Sequence, residues 1–157
     1  MKKKLLLAFV VLLVVFIGLQ FVPVERTNPP VTGEIQAPDD VMAVLRQSCY
    51  DCHSNETDWP LYAYIAPVSW KVADHVNHGR SDLNFSEWDS YSASEQQHAK
   101  KEIWEEVDGG KMPLPDYLKL HDEAELTDED KATLKAWSTA TAGERDHSKD
   151  DHDDHDH

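Results

Sequence analysis

The stretch Cys49-Tyr50-Asp51-Cys52-His53 decides the fold of this chain of 157 residues. A C-x-x-C-H motif is what covalent attachment of a c-type haem requires, because each thiol can add to one vinyl group and the next imidazole can bind iron. A thioredoxin-like pair would need a βαβ context, and a zinc site would need a second ligand pair that the folded part lacks. We therefore predict one covalent haem c on Cys49 and Cys52, with His53 as proximal iron ligand.

Met112 is the candidate for the opposite iron ligand. It lies between Gly109-Gly110 and Pro113, and a proline biases the preceding residue away from helical angles, so the thioether would be presented from a stiff loop. A thioether ligand favours reduced iron and fills the sixth position. The alternative is a loop methionine that fills a gap in the core. Met112 also competes with four histidines that lie among polar neighbours: His75, His78, His98 and His121.

An apolar run from Leu5 to Val22 follows the three lysines Lys2–Lys4. At about 1.5 Å per residue it would extend about 27 Å as a helix, which is close to the hydrocarbon thickness of a bilayer. A cleaved signal peptide is the competing interpretation, but the usual small-residue cleavage site is missing. We predict an uncleaved N-terminal transmembrane helix over residues 1–24, with the lysines in the cytoplasm and the remainder on the outer side.

Composition divides the rest of the chain into a tether, one domain and a tail. Residues 25–38 are rich in proline and lack an apolar period, which predicts an extended tether. Residues 39–143 are long enough for one small domain, and residues 144–157 hold too little apolar surface to fold. The net charge of −15 argues against nucleic acid as a partner.

Helical spacing recurs through the domain, whereas strand-like alternation does not. We predict a helix from an Asp39 or Asp40 cap to the haem motif, and a second from Val68 to His78 that ends at Gly79. Capping boxes at Ser92 and Thr127 predict two more, the first ending at Gly109-Gly110. The predicted fold class is all-α, with long loops around the haem.

Large aromatic side chains are numerous for a small domain. Trp59, Tyr62 and Trp70 are candidates for the haem-pocket wall, where a ring N–H or hydroxyl could donate to a haem propionate. Arg80 could pair with the other propionate, although an arginine solvated beside Asp82 is the alternative.

Four segments together resemble the small membrane-anchored haem-binding domain family of bacterial c-type cytochromes. They are Cys49–Thr57 with Trp59-Pro60, Ile65–Trp70, Leu83–Trp88 and Gly110–Pro113. The resemblance implies a cytochrome-c-like helical fold with one haem attached through Cys49 and Cys52 and ligated by His53. Met112 occupies the place of the methionine in the family's Met-Pro loop.

The tail mixes imidazole with carboxylate, which suits labile binding of zinc, copper or nickel. Its candidate ligands are His147, His152, His155 and His157. A merely solvated acidic tail is the alternative.

Three functions remain open at this point. The first is a single-electron carrier, not an enzyme, held at the bacterial cytoplasmic membrane with its haem domain on the periplasmic side and serving redox protein partners. The second is a haem enzyme or a redox or gas sensor with an open distal site. The third is metal handling through the tail.

Overall fold

The computed structural model describes residues 1–140. Its seven α-helices are α1 (Lys2–Leu19), α2 (Asp39–Ser48), α3 (Tyr50–His53), α4 (Val68–Asp82), α5 (Ala93–Asp108), α6 (Pro115–Leu118) and α7 (Asp128–Thr139). Short 3₁₀ turns lie at Leu61–Tyr64, Trp88–Ser90 and Asp122–Ala124. The only β pairing in the described part is an isolated bridge between Gly33 and Glu87, so the all-α class is confirmed.

The core lies where α2, α5 and α7 pack together. Val41, Val44 and Leu45 fall on one face of α2 and are buried against Leu134 and Trp137 of α7. Both predicted capping boxes are confirmed, Ser92 with Glu95 starting α5 and Thr127 with Asp130 starting α7. Each box satisfies backbone N–H groups that have no partner within the helix.

The start of α2 and the end of α4 differ from the sequence prediction. Pro38, not Asp39 or Asp40, is the N-cap of α2. Gly79 does not end α4, which continues to Asp82. A Cβ at Gly79 would lie 2.5 Å from the carbonyl oxygen of Cys52, so this glycine allows close approach of α4 to α3.

The N-terminal helix differs from the prediction as well. The transmembrane helix predicted over residues 1–24 is not found: within residues 1–140 no helix combines the length and the apolar character needed to cross a membrane. α1 is 18 residues long and begins with three lysines.

The segment predicted as a tether packs against the domain. Ile35 is 1% exposed and its N–H donates to the carbonyl of Phe85 at 2.9 Å. Arg80 fastens the same segment, because its guanidinium donates to the carbonyl of Thr27 at 2.8 Å and to Asn28 Oδ1 at 3.0 Å. Its other bonds reach the carbonyl of Ser54 at 2.7 Å and Thr57 Oγ1 at 2.8 Å. Arg80 is therefore occupied by protein acceptors.

We expect Arg80→Lys to lower the free energy of unfolding by roughly 1–3 kcal/mol, because one ammonium group cannot serve four acceptors that a planar guanidinium serves together. Urea unfolding followed by tryptophan fluorescence measures this loss. Lys101→Gln is the control, since Lys101 makes a surface pair with Glu105 and its loss should change stability by about 0.5 kcal/mol or less. Equal effects of the two substitutions would contradict this role of Arg80.

Candidate functional site

The C-x-x-C-H motif lies at the junction of two short elements. α2 ends at Ser48, and Cys49 leaves helical geometry at φ −126° before α3 begins. Behind the motif, the Ser54 hydroxyl donates to the carbonyl of Tyr50 at 2.7 Å, and the Phe85 N–H donates to the carbonyl of His53 at 2.8 Å. These buried bonds hold the end of α3, and with it His53, against the chain that follows α4.

His53 is held in one tautomer. Its Nδ1 lies 3.0 Å from the carbonyl oxygen of Gly79 and 3.1 Å from that of Leu83. Both atoms are acceptors, so Nδ1 carries the proton and Nε2 keeps its lone pair. Burial lowers the pKa of His53, although the two carbonyl contacts and Asp82 partly oppose that shift. The side chain is thus prepared as a neutral ligand imidazole.

A cavity of about 480 Å³ brings His53, Cys49 and Met112 together. Its apolar wall comes from the chain after α4, from α5 and from the loop after α5, through Leu83, Phe85, Ala99, Ile103, Val107 and Pro113. Met112 reaches the cavity from the turn that ends α5, where Gly110 adopts φ +66° and the Met112 N–H donates to the carbonyl of Glu106 at 3.1 Å.

The residues that line this cavity fit a haem, both in the atoms that could bind iron and in their mostly apolar character. Imidazole and thioether are the axial pair of cytochromes c, and a wall made mostly of apolar side chains suits a large flat prosthetic group. Ser48 also lines the cavity, and its buried hydroxyl has no hydrogen-bond partner in the described part of the chain. A buried hydroxyl without a partner indicates that a bound group belongs there.

Cys52 lies away from this cavity. It lines a neighbouring cavity of about 290 Å³, together with Tyr62, His75 and Tyr117. The motif therefore contributes to the lining of both cavities, with Cys49 and His53 in the first and Cys52 in the second. Burial raises the pKa of Cys49 to about 12 and that of Cys52 to about 11, so both thiols are protonated at neutral pH.

The four residues predicted for the pocket wall lie outside the cavity that His53 and Met112 line. The Trp59 ring N–H donates to Asn28 Oδ1 at 3.2 Å, and the Tyr62 hydroxyl lies 2.6 Å from His121 Nε2. Trp70 Nε1 is buried without a hydrogen-bond partner among the described residues, and Arg80 is bound to the N-terminal segment. The sequence prediction rested on side-chain type, as large rings and donors that could reach a propionate, and side-chain type does not distinguish the core from a pocket.

Sequence reasoning missed Ser48 and the carboxylates Asp82, Glu102 and Glu106, which also line the cavity. Ala99, Ile103 and Val107 recur at steps of four along α5, and this spacing is the signal in the sequence that identifies the wall. Within residues 1–140 no group of three or more His, Cys, Asp or Glu side chains could hold a metal ion by itself. The predicted tail ligands His147, His152, His155 and His157 lie outside the described residues.

A family model described as a haem-binding domain matches residues 14–140. The match covers more than half of the chain, so the protein belongs to the haem-binding domain family. No curated protein and no solved structure shows a significant match to the chain.

Gly79→Ala should lower the free energy of unfolding by roughly 1–3 kcal/mol, the usual cost of forcing extra volume into a packed contact. The added methyl would meet the Cys52 carbonyl and force α4 away from α3. Urea unfolding of the haem-free protein provides the measurement. Gly18→Ala is the control, because nothing lies within 4 Å of that position. Unchanged stability in Gly79→Ala would show that the helices do not meet this closely.

Proposed function

We propose that the protein is a mono-haem c-type cytochrome that carries single electrons. The observation that carries this proposal is the meeting, in one cavity, of a His53 imidazole with its Nε2 free, the Met112 thioether and Cys49. Haem, when bound, supplies reversible one-electron chemistry. What this chain contributes is attachment, the two axial donors and an apolar enclosure.

Covalent attachment through Cys49 and Cys52 is supported by the motif and by the free state of its two cysteines. Neither cysteine forms a disulfide in the structure, so both thiols are available to add to the two vinyl groups of a haem. A redox-active C-x-x-C pair depends on a lowered thiol pKa, whereas burial raises the pKa of both cysteines here. His53 follows Cys52 directly and would bind the iron.

The cytochrome-c-like fold belongs to the same proposal. α2 runs into the haem motif and packs on α7, α7 packs on α5, and the methionine loop follows α5 directly. In this arrangement His53 and Met112 would be the two residues that bind the iron. Two protein ligands leave no open position at the iron, so the proposed role is transfer to redox protein partners, with no catalytic residue assigned.

Attachment to the cytoplasmic membrane of a bacterium, with the haem domain on the extracytoplasmic side, completes the proposal. None of the residues of α1 is buried, and its apolar side chains from Leu5 to Ile17 are exposed. An exposed apolar surface of this extent indicates contact with a partner or with lipid.

Membrane attachment through α1 predicts that the protein remains in the membrane fraction after carbonate extraction, with its N-terminal sequence intact. A variant lacking residues 2–19 is the control and should be released. Release of the full chain, or a mature form that begins near Gln20, would contradict attachment through α1.

Covalent attachment predicts that the protein, made with a cytochrome-maturation system, retains haem on denaturing gels. The double variant Cys49→Ala/Cys52→Ala should lose haem staining completely, because no thioether can form. Each single variant should retain haem through its remaining bond, in lower yield. Haem that stays with the double variant under denaturing conditions would contradict the c-type assignment.

Axial ligation by Met112 predicts that Met112→Ala abolishes the far-red sulfur-to-iron absorption of the ferric protein, lets the ferrous protein bind carbon monoxide and lowers the reduction potential. Met42→Ala is the matched control, since Met42 is a partly buried methionine that packs on the core and not in the cavity. It should keep the absorption band. Wild-type protein that already binds carbon monoxide readily would favour the sensor or enzyme class instead.

A further inference from the structure

One surface of the haem domain is apolar and exposed. Leu61 is 80% exposed, and Tyr64, Ile65 and Val68 are each more than 40% exposed. These four residues, here called the apolar face, lie on the 3₁₀ turn Leu61–Tyr64 and at the start of α4. Among residues 39–140, the one other large apolar side chain that is exposed belongs to Leu120. Leu120 and Val68 line the same cavity. Such clustering marks a contact surface.

The end of α1 is bound to the middle of this face. The Ala66 N–H donates to Gln20 Oε1 at 2.9 Å, and Gln20 Nε2 donates to the carbonyl of Ala66 at 3.3 Å. Phe21 and Val22, which follow Gln20, are exposed as well. The apolar surface of α1 therefore continues through Phe21 and Val22 onto the domain.

A cation lies at the edge of the apolar face. The Arg26 guanidinium is stacked over the Tyr64 ring at 4.6 Å from its centroid. Within residues 1–140 Arg26 forms no ion pair, and its buried Nε has no hydrogen-bond partner. The other arginines of the domain, Arg46 and Arg80, are occupied by protein acceptors. An exposed apolar surface bordered by an unpaired guanidinium is the combination that a phospholipid interface accommodates, with acyl chains against the apolar side chains and phosphate at the cation.

We propose that the apolar face is a phospholipid-contact surface, which holds the haem domain down on the bilayer in one orientation. The proposal builds on the proposed attachment through α1 and adds a second, independent contact. The domain would then not swing freely on its N-terminal segment, because the Gln20–Ala66 and Arg80 hydrogen bonds fix that segment to the domain. The cavity lined by His53 and Met112 would keep a constant direction relative to the membrane.

Nitroxide labels on full-length holoprotein, reconstituted in vesicles of phosphatidylcholine and phosphatidylglycerol, test this surface. Labels are placed singly through Leu61→Cys and Ile65→Cys on the face, Lys101→Cys on α5 as the aqueous reference, and Phe9→Cys on α1. Power saturation compares the accessibility of each label to oxygen, which concentrates in lipid, and to a water-soluble nickel chelate. We expect the oxygen-to-nickel ratio at positions 61 and 65 to exceed that at 101 several-fold and to approach that at position 9.

The label on α1 distinguishes a failure of the contact surface from a failure of the attachment through α1. A lipid signal at position 9 with an aqueous signal at 61 and 65 overturns the contact surface and leaves attachment standing. An aqueous signal at position 9 with a lipid signal at 61 supports the surface and contradicts attachment through α1. Labels at 61 and 65 that neither reagent reaches would indicate cover by protein, a second copy or a partner, and would overturn the lipid assignment.

Arg26→Gln tests the phosphate contact. It should lower the oxygen-to-nickel ratio at position 61, because the cation no longer draws the face toward the headgroups. Arg46→Gln is the matched control, since Arg46 is paired with Glu34 and Glu56. An equal ratio at position 61 in wild type and Arg26→Gln would remove the headgroup contact from the proposal.

Discussion

The hydrogen bond that His53 Nδ1 shares between the carbonyls of Gly79 and Leu83 is the interaction on which the site depends. It selects the tautomer that leaves Nε2 available to iron, and it links the haem motif to the end of α4. The bond forms only because α4 approaches α3 closely, and that approach requires a residue without a Cβ at position 79. A single glycine in the last turn of α4 thus serves ligand orientation, at the usual cost in helix propensity.

The cavity uses the same side chains that build the core. Ile103 and Val107 of α5 belong to the buried cluster with α2 and α7, and they also line the cavity together with His53. A group bound there would complete the packing of α5, so folding and cofactor binding are coupled through one helix face. Removing that group leaves apolar walls and the unpaired Ser48 hydroxyl exposed to the cavity, which disfavours the empty form.

The features that could be predicted correctly from the sequence are those that depend on local chemistry. The capping boxes of α5 and α7, the end of α5 at Gly109 and the helix before Cys49 follow from neighbours within one turn. The errors arose where distant residues decide. Residues 25–38 lack an apolar period, yet this segment packs on the domain because residues about fifty positions away bind it. The Ile35 N–H donates to the Phe85 carbonyl, and Arg80 donates to Thr27. A glycine late in a helical pattern predicts a helix end. The close packing of Gly79 against Cys52 involves a residue distant in sequence, so the neighbours of Gly79 carry no signal of it.

The ligand environment of the iron is the most direct test of the central claim, which is that His53 and Met112 both bind the iron of one haem in the cavity that they line. X-ray absorption at the iron edge of the purified ferric holoprotein reports the atoms bound to the metal. The account predicts nitrogen ligands from the porphyrin and His53 together with a single sulfur, which disappears in Met112→Ala. A coordination shell of nitrogen alone in the wild-type protein, as an axial His75 or His121 would give, would contradict it.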